Sequence, residues 1–181
     1  MSELKTKVII GTKEKPVRFS YANVFKPKAA NEGEEPKYSV SVIIPKENKE
    51  DIAKIEKAIE NAIELGKSKL GKIPKDLKTP LRDGDEERDD EAYADSMFIN
   101  ANSNRKPGIV NEDLEEIIEV DEFYSGCYGR VAVNFYAYNV GKSKGIAAGL
   151  QNLQKTEDGE ALSGGSTAAQ DFGSGDEDDL L

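Results

Sequence analysis

From residue 127 to residue 138 the chain alternates between two kinds of side chain, and no other stretch limits the fold as tightly. The odd positions are Cys127, Gly129, Val131, Val133, Phe135 and Ala137, all small or apolar. The even positions are Tyr128, Arg130, Ala132, Asn134, Tyr136 and Tyr138. Successive side chains of a strand point to opposite faces, so this period of two predicts a long strand with one face in a core and the other outside it. The strand is expected over Tyr124–Val140, bent at Gly126 and Gly129.

The rest of the chain supplies partners for it. Residues 7–11 and 16–25 read as β, and Lys37–Ile44 alternates with Tyr38, Val40, Val42 and Ile44 on one face until Pro45 stops it. The polar loop 27–36 makes these two a hairpin with a long tip. Asn48–Gly66 is the clearest helix: Asn48 can cap it, Glu50 and Asp51 suit its positive end, and Ile52, Ile55, Ile59, Ala62 and Ile63 form one stripe. A charged, Pro- and Gly-rich excursion follows over 73–95. In the strand 97–104 the odd residues Met97, Ile99 and Ala101 are expected inside, with Phe98, Asn100 and Asn102 opposite. A last strand is expected over 145–154. The fold class is therefore mainly β with one helix, a small Greek-key barrel or an α+β sandwich.

Charge divides the chain in two. Residues 156–181 hold eight of the 35 acidic side chains and none of the 25 basic ones, so the body 1–155 is nearly neutral. The Gly/Ser-rich segment cannot bury enough apolar surface to offset its ordering entropy, which predicts a disordered acidic tail on a single domain of residues 1–155. Its end, Asp176, Glu177, Asp178, Asp179, Leu180 and Leu181, suits a basic, partly apolar groove on a partner, or the basic surface of its own body.

Composition removes several chemistries. With no histidine and one cysteine there is no Ser–His–Asp triad, Cys–His pair or Cys/His zinc site, and no phosphate-cradling loop motif occurs. No cofactor is expected. Cys127 fits a reducing compartment, and the N-terminus lacks an apolar targeting region. No apolar run approaches the ~20 residues of a membrane span. A soluble, cytoplasmic, non-enzymatic protein is the expectation.

The even face of strand 127–138 suggests what it binds. Tyr128, Arg130, Tyr136 and Tyr138 repeat at about 7 Å per two residues. Every base has a π-face and stacking is worth ~1–3 kcal/mol per base, while cations hold phosphates. Interleaved aromatics and cations are what sequence-tolerant binding of a single strand requires, although tyrosine is also simply a good strand former. Arg18, Lys26, Lys37, Arg105 and Lys106, with Phe98, are further candidates for this face. Each cation alone reads more readily as a solvated surface charge. Phe19 and Tyr38 read as core, and parity does not decide Tyr21.

The acidic run 83–91 could hold a divalent cation, which keeps open a metal-dependent nuclease. It lacks calcium-loop spacing, and a solvated loop is the better reading. A protein-interaction module without nucleic acid is a third class.

Several blocks, R-F-S-Y-A-N-V-F-K-P (18–27), P-K-Y-S-V-S-V-I-I-P-K (36–46), P-L-R-D-G-D-E (80–86), F-I-N-A-N-S (98–103), R-K-P-G-I-V (105–110), G-C-Y-G-R-V-A-V-N-F-Y-A-Y (126–138) and G-I-A-A-G-L-Q-N-L-Q-K (145–155), carry a resemblance across nearly the whole chain. It resembles the phage-encoded single-stranded-DNA-binding proteins once catalogued only as a domain of unknown function. The resemblance implies an OB-fold barrel with a helix between strands. It also implies work in phage DNA replication or recombination, in the host cytoplasm, and a tail that contacts a polymerase, helicase or recombinase. Single-stranded DNA would cross Tyr128, Arg130, Tyr136 and Tyr138, with Arg105 and Lys106 nearby. Lacking tryptophan, the chain would stack bases on tyrosine and phenylalanine alone. Oligomeric state stays open, a homodimer included.

Overall fold

The computed structural model describes residues 4–29, 32–140 and 143–162. The tail residues Asp176–Leu181, expected to bind partners, lie outside the described residues. The chain folds as β1 (Lys7–Ile10), β2 (Val17–Lys28), β3 (Lys37–Pro45), α1 (Lys49–Leu65), a short α2 (Lys67–Leu70), β4 (Arg82–Asp83), a one-turn α3 (Gly84–Glu87), a 3₁₀ turn (Glu91–Tyr93), β5 (Ser96–Ser103), β6 (Gly108–Val110), β7 (Tyr128–Val140) and β8 (Ser143–Glu157).

The strands run in the order β1-β7-β2-β3-β5-β8-β6, and β7 also pairs with β8. That extra pairing closes β7-β2-β3-β5-β8 into a ring, the Greek-key barrel of an OB-like fold. β1 and β6 are appended outside the ring, on the far sides of β7 and β8 respectively. The join between β5 and β8 is parallel and only two residue pairs long, Ala101 with Ala148 and Asn102 with Gly149.

The period of two holds in β7. Gly129, Val131, Val133, Phe135 and Ala137 are buried, while Tyr128, Arg130, Asn134 and Tyr138 are half-buried and Tyr136 is exposed. Ala132 is the exception and is buried from the even face. The strand begins at Tyr128 rather than Tyr124, because Gly126 takes a left-handed turn (φ 118°) whose amide donates to the Phe19 carbonyl. Cys127 is fully buried, and burial pushes its thiol up.

Helix α1 packs its Ile55, Ala58, Ile59 and Ala62 stripe into the barrel core. Asn48 caps it by accepting from the Asp51 amide at 3.4 Å. Asp51 is itself buried and accepts from Gly11 N and Asn48 Nδ2, so it ties the helix to the end of β1.

The chain stays on the body beyond residue 155. β8 runs through Glu157, Gly159 N donates to Tyr124 Oη, Arg18 donates to the Glu160 carbonyl, and Leu162 N donates to the Ser125 carbonyl. The Leu162 side chain packs against Ile43, Tyr93 and Phe98.

Candidate nucleic-acid interface

A polar row crosses the outside of the barrel. Its members are Asn23 on β2, Ser39 on β3, Asn102 on β5, Gly149 on β8 and Asn134 on β7, each paired with the next. The core residues beside them, Val24, Val40, Ala101, Ala148 and Val133, are buried, so the row faces outward. Four steps between strands give it a length of roughly 19 Å. Ser41 and Asn100 pair directly beside it.

An aromatic residue stands at each flank. Tyr136 lies on the β8 side with its ring over Gly149; a Cβ there would meet the ring at 3.4 Å, so the glycine leaves the tyrosine room to lie across the sheet. Tyr21 lies on the β2 side and is 49 % exposed. It sits within the register shift of β2 between Ser20 and Asn23, in the left-handed region (φ 47°), which is costly for a bulky residue. The bulge turns Tyr21 outward when strict alternation would have to choose between it and Ser20.

Arg88 completes that flank. Its guanidinium lies over the rings of Tyr21, Tyr93 and Phe98 at 5.5, 5.3 and 4.9 Å from their centroids. The excursion 73–95 delivers it, and that excursion is folded. Tyr93 is fully buried, stands edge-on to Phe98 at 5.2 Å and donates to Ser41 Oγ. Lys46 bridges Asp83 and Asp85 at 3.0 and 2.8 Å, and Asp85 also accepts from the Asp95 amide. Asp90 caps the 3₁₀ turn and Glu87 pairs with Arg82. These acids therefore brace the segment that holds Arg88. Among the described residues no group of three acidic or cysteine side chains converges as metal ligands would.

The brace gives a pH dependence. Hydrogen bonds from Lys46 hold both Asp83 and Asp85 below the ordinary carboxylate value, and those two carboxylates push Lys46 up. Groups with lowered values contribute stability that is complete above the ordinary value of 3.8 and lost as pH falls through the folded one. The Lys46 contribution is lost only on the far alkaline side. Unfolding monitored in acid should therefore show the native chain losing stability below about pH 4, and Lys46→Met losing less over the same range. Equal losses would show that the brace does not hold the segment.

The remaining expected residues separate into four places, with Phe98 apart from them. Lys26 and Lys37 are exposed at the β2–β3 end, where Lys37 pairs with Lys28 beside a cleft of about 420 Å³ that Asn23, Ser39 and Asn102 also line. Arg105 and Lys106 are exposed in the turn after β5, and Lys106 lies over the Phe25 ring at 5.4 Å. Tyr138 follows Tyr136 on the outer face of β7, opposite Gly145. At the other end of β7, Arg18 lies over the Tyr128 ring at 5.3 Å and donates to the carbonyls of Gly126 and Glu160, while Arg130 donates to the Gly11 carbonyl and Gln154 Oε1. Phe98 is a correction: it is fully buried, because Tyr93, Leu162 and Arg88 cover a position that alternation alone puts outside. Sequence reasoning missed Arg88 and left Tyr21 undecided. The only local signal for Arg88 was a tyrosine five residues after an arginine in a charged loop.

Comparisons with known proteins agree with this architecture. The sequence model of the family described as the Enterobacter phage Enc34 ssDNA-binding protein matches residues 6–181. A protein designated p50, from Acyrthosiphon pisum secondary endosymbiont phage 1, is 29% identical over 177 residues that span 91% of this chain and 95% of the relative. The solved single-stranded DNA-binding protein of bacteriophage Enc34 in complex with ssDNA superposes with a TM-score of 0.71 at 26% identity, over 87% of this chain and 89% of that one. Its C-terminal truncation gives 0.73 at 27% identity, over 87% and 88%. The T7 single-stranded DNA binding protein gp2.5, 13% identical over 90% of this chain and 98% of that one, shares the fold with a TM-score of 0.58. With the family's sequence model matched over nearly its whole length and the barrel shared, this chain belongs to the Enterobacter phage Enc34 ssDNA-binding protein family.

Proposed function

We propose that this chain binds single-stranded DNA without reading its sequence, and that the strand crosses the barrel between Tyr136 and Tyr21. The observation that carries the reading is the outward row itself, with an exposed tyrosine at each flank and Ser and Asn side chains between. Stacking on each tyrosine contributes ~1–3 kcal/mol whatever the base. Asn and Ser groups can donate to or accept from backbone and base edges alike. Arg88, Lys26, Lys37, Arg105 and Lys106 hold phosphates and release counterions, so affinity falls as salt rises. Arg18, Tyr128 and Arg130 support this surface from the other end of β7, where carbonyls engage both arginines. The Enc34 relative solved with ssDNA supports the reading.

The role follows from the chemistry: coating single strands exposed during phage DNA replication or recombination, with no bond made or broken. The acidic tail acts on the same surface. Leu162, the last described residue before it, packs its side chain against Tyr93 and Phe98, two of the three rings beneath Arg88. A tethered anion competes there at high effective concentration. DNA displaces it, and the freed Asp176–Leu181 end recruits a polymerase, helicase or recombinase.

Anisotropy of a labelled thymidine oligomer, with an equal-length duplex as competitor, tests the main reading. Tight binding that the duplex does not relieve is expected, and absence of binding at low salt in chains with and without the tail would refute it. Deleting residues 163–181 should tighten binding, most at low salt. Unchanged affinity would remove the autoinhibitory role.

A further inference from the structure

Two surfaces away from the proposed strand path complement one another. The first follows β6. Residues 111–122 carry seven acidic side chains and no basic one. Leu114 and Ile118 are each 74 % exposed and Val120 is 58 % exposed. This is not a loose loop. Ile117 and Phe123 anchor it in the core, the Asn111 carboxamide oxygen accepts from the amides of Asp113 and Glu115, and Ile117 N donates to the Ile109 carbonyl. Leu114 is held in the left-handed region (φ 66°), a conformation that bulky residues adopt only when their surroundings impose it. The segment thus presents a fixed apolar patch within an acidic rim.

The second surface lies between β1 and α1. A groove of about 520 Å³ has apolar walls that include Ile9 and Ala53, with Lys5, Lys7, Lys54 and Lys57 around it. Ile9 is 41 % exposed. Helix α1 already occupies this edge of β1 and takes three of its outward backbone groups, since Lys5 O accepts from Asn61, Ile9 O from Lys54 and Gly11 N donates to Asp51. A partner must therefore bind through side chains rather than by adding a strand.

The two surfaces lie on opposite sides of the β7–β8 pair, because β1 is appended to β7 and β6 to β8. A patch and its complement on opposite sides of one molecule make a heterologous contact, which propagates as an open row. We propose that the acidic patch around Ile118 docks in the lysine-lined groove of a second copy, so that neighbouring copies line up head to tail. Resting on the reading that the chain coats single-stranded DNA, this contact makes binding to long strands cooperative.

Charge exchange tests the contact. Lys7→Glu with Lys57→Glu, and separately Glu115→Lys with Glu119→Lys, should each leave affinity for a thymidine oligomer one protein long within about twofold. Each should lower affinity for a strand several proteins long at least tenfold. Mixing the two variants should restore cooperative binding, because each then offers the other a complementary surface. Sedimentation of the proteins without DNA, native and mixed, should show the same pattern of association. Loss from the lysine exchange alone, or no recovery in the mixture, would mean that the groove holds some other acidic partner and would overturn the proposal. Failure on the short oligomer would instead count against DNA binding itself, and association without DNA would still decide the contact.

Discussion

Thymidine oligomers are expected to bind a Tyr21→Ala, Tyr136→Ala double variant at least about 30-fold more weakly than the native chain, since each lost stack costs ~1–3 kcal/mol. Both side chains are exposed, at 49 % and 42 %, and neither fills the core, so melting temperature should change little. Fluorescence anisotropy at fixed low salt, with a thermal melt on the same sample, separates the two effects. Tyr128→Ala is the informative comparison. Its ring lies under Arg18 and close to Gly159, so its removal should lower stability more than affinity. Full affinity in the double variant with a native melt would place the DNA elsewhere on the barrel.

The largest stability effect should come from a single methyl group. Gly129 sits where β7 and β8 slip register, and a Cβ there would run into the Gln154 carbonyl oxygen. Both partners are backbone in a closed barrel, so neither can yield without breaking pairs. Gly129→Ala should cost roughly 3 kcal/mol, the upper end of ordinary overpacking. Gly71→Ala is the control: nothing lies within 4 Å of a Cβ there, so only the cost of holding an L residue at its φ of +66° applies, roughly 1–2 kcal/mol. Urea midpoints of the two variants should differ accordingly. Equal midpoints would mean that the β7–β8 slip relaxes freely.

What could be read from the chain without coordinates was what depends on local periodicity. The odd residues of β7, the Ile55–Ile59–Ala62 stripe of α1 and the Val40–Val42–Ile44 face of β3 all require only that a residue's neighbours in sequence repeat correctly. The OB-like barrel was legible through resemblance of whole blocks. What escaped was decided by contacts distant in sequence. Phe98 lies on the outward face of its strand, yet it is buried because Tyr93 folds back over it from the charged excursion. Arg88 gains its place through Asp83, Asp85 and Lys46, a pairing across about 40 residues. Tyr21 faces outward because of a bulge, and a bulge shifts alternation without leaving a mark in composition.

The placement of the last two long strands also governs how the protein can be made. Ring closure needs β7 on one side of the gap and β8 on the other, and among the described residues β1 pairs with β7 alone. Thr6 and Asn134, hydrogen-bonded in the folded chain, are 128 residues apart. During synthesis the first strand therefore leaves the ribosome long before its partner exists. The β2–β3 hairpin can form early and β5 can add to it once residue 103 has emerged, but the other edge of β2 waits for β7, and the ring stays open until β8 ends at residue 157. Such a nascent chain is exposed to mispairing for most of its translation, at rates that non-local topology keeps slow. Its yield should be set by how quickly the final hairpin is delivered.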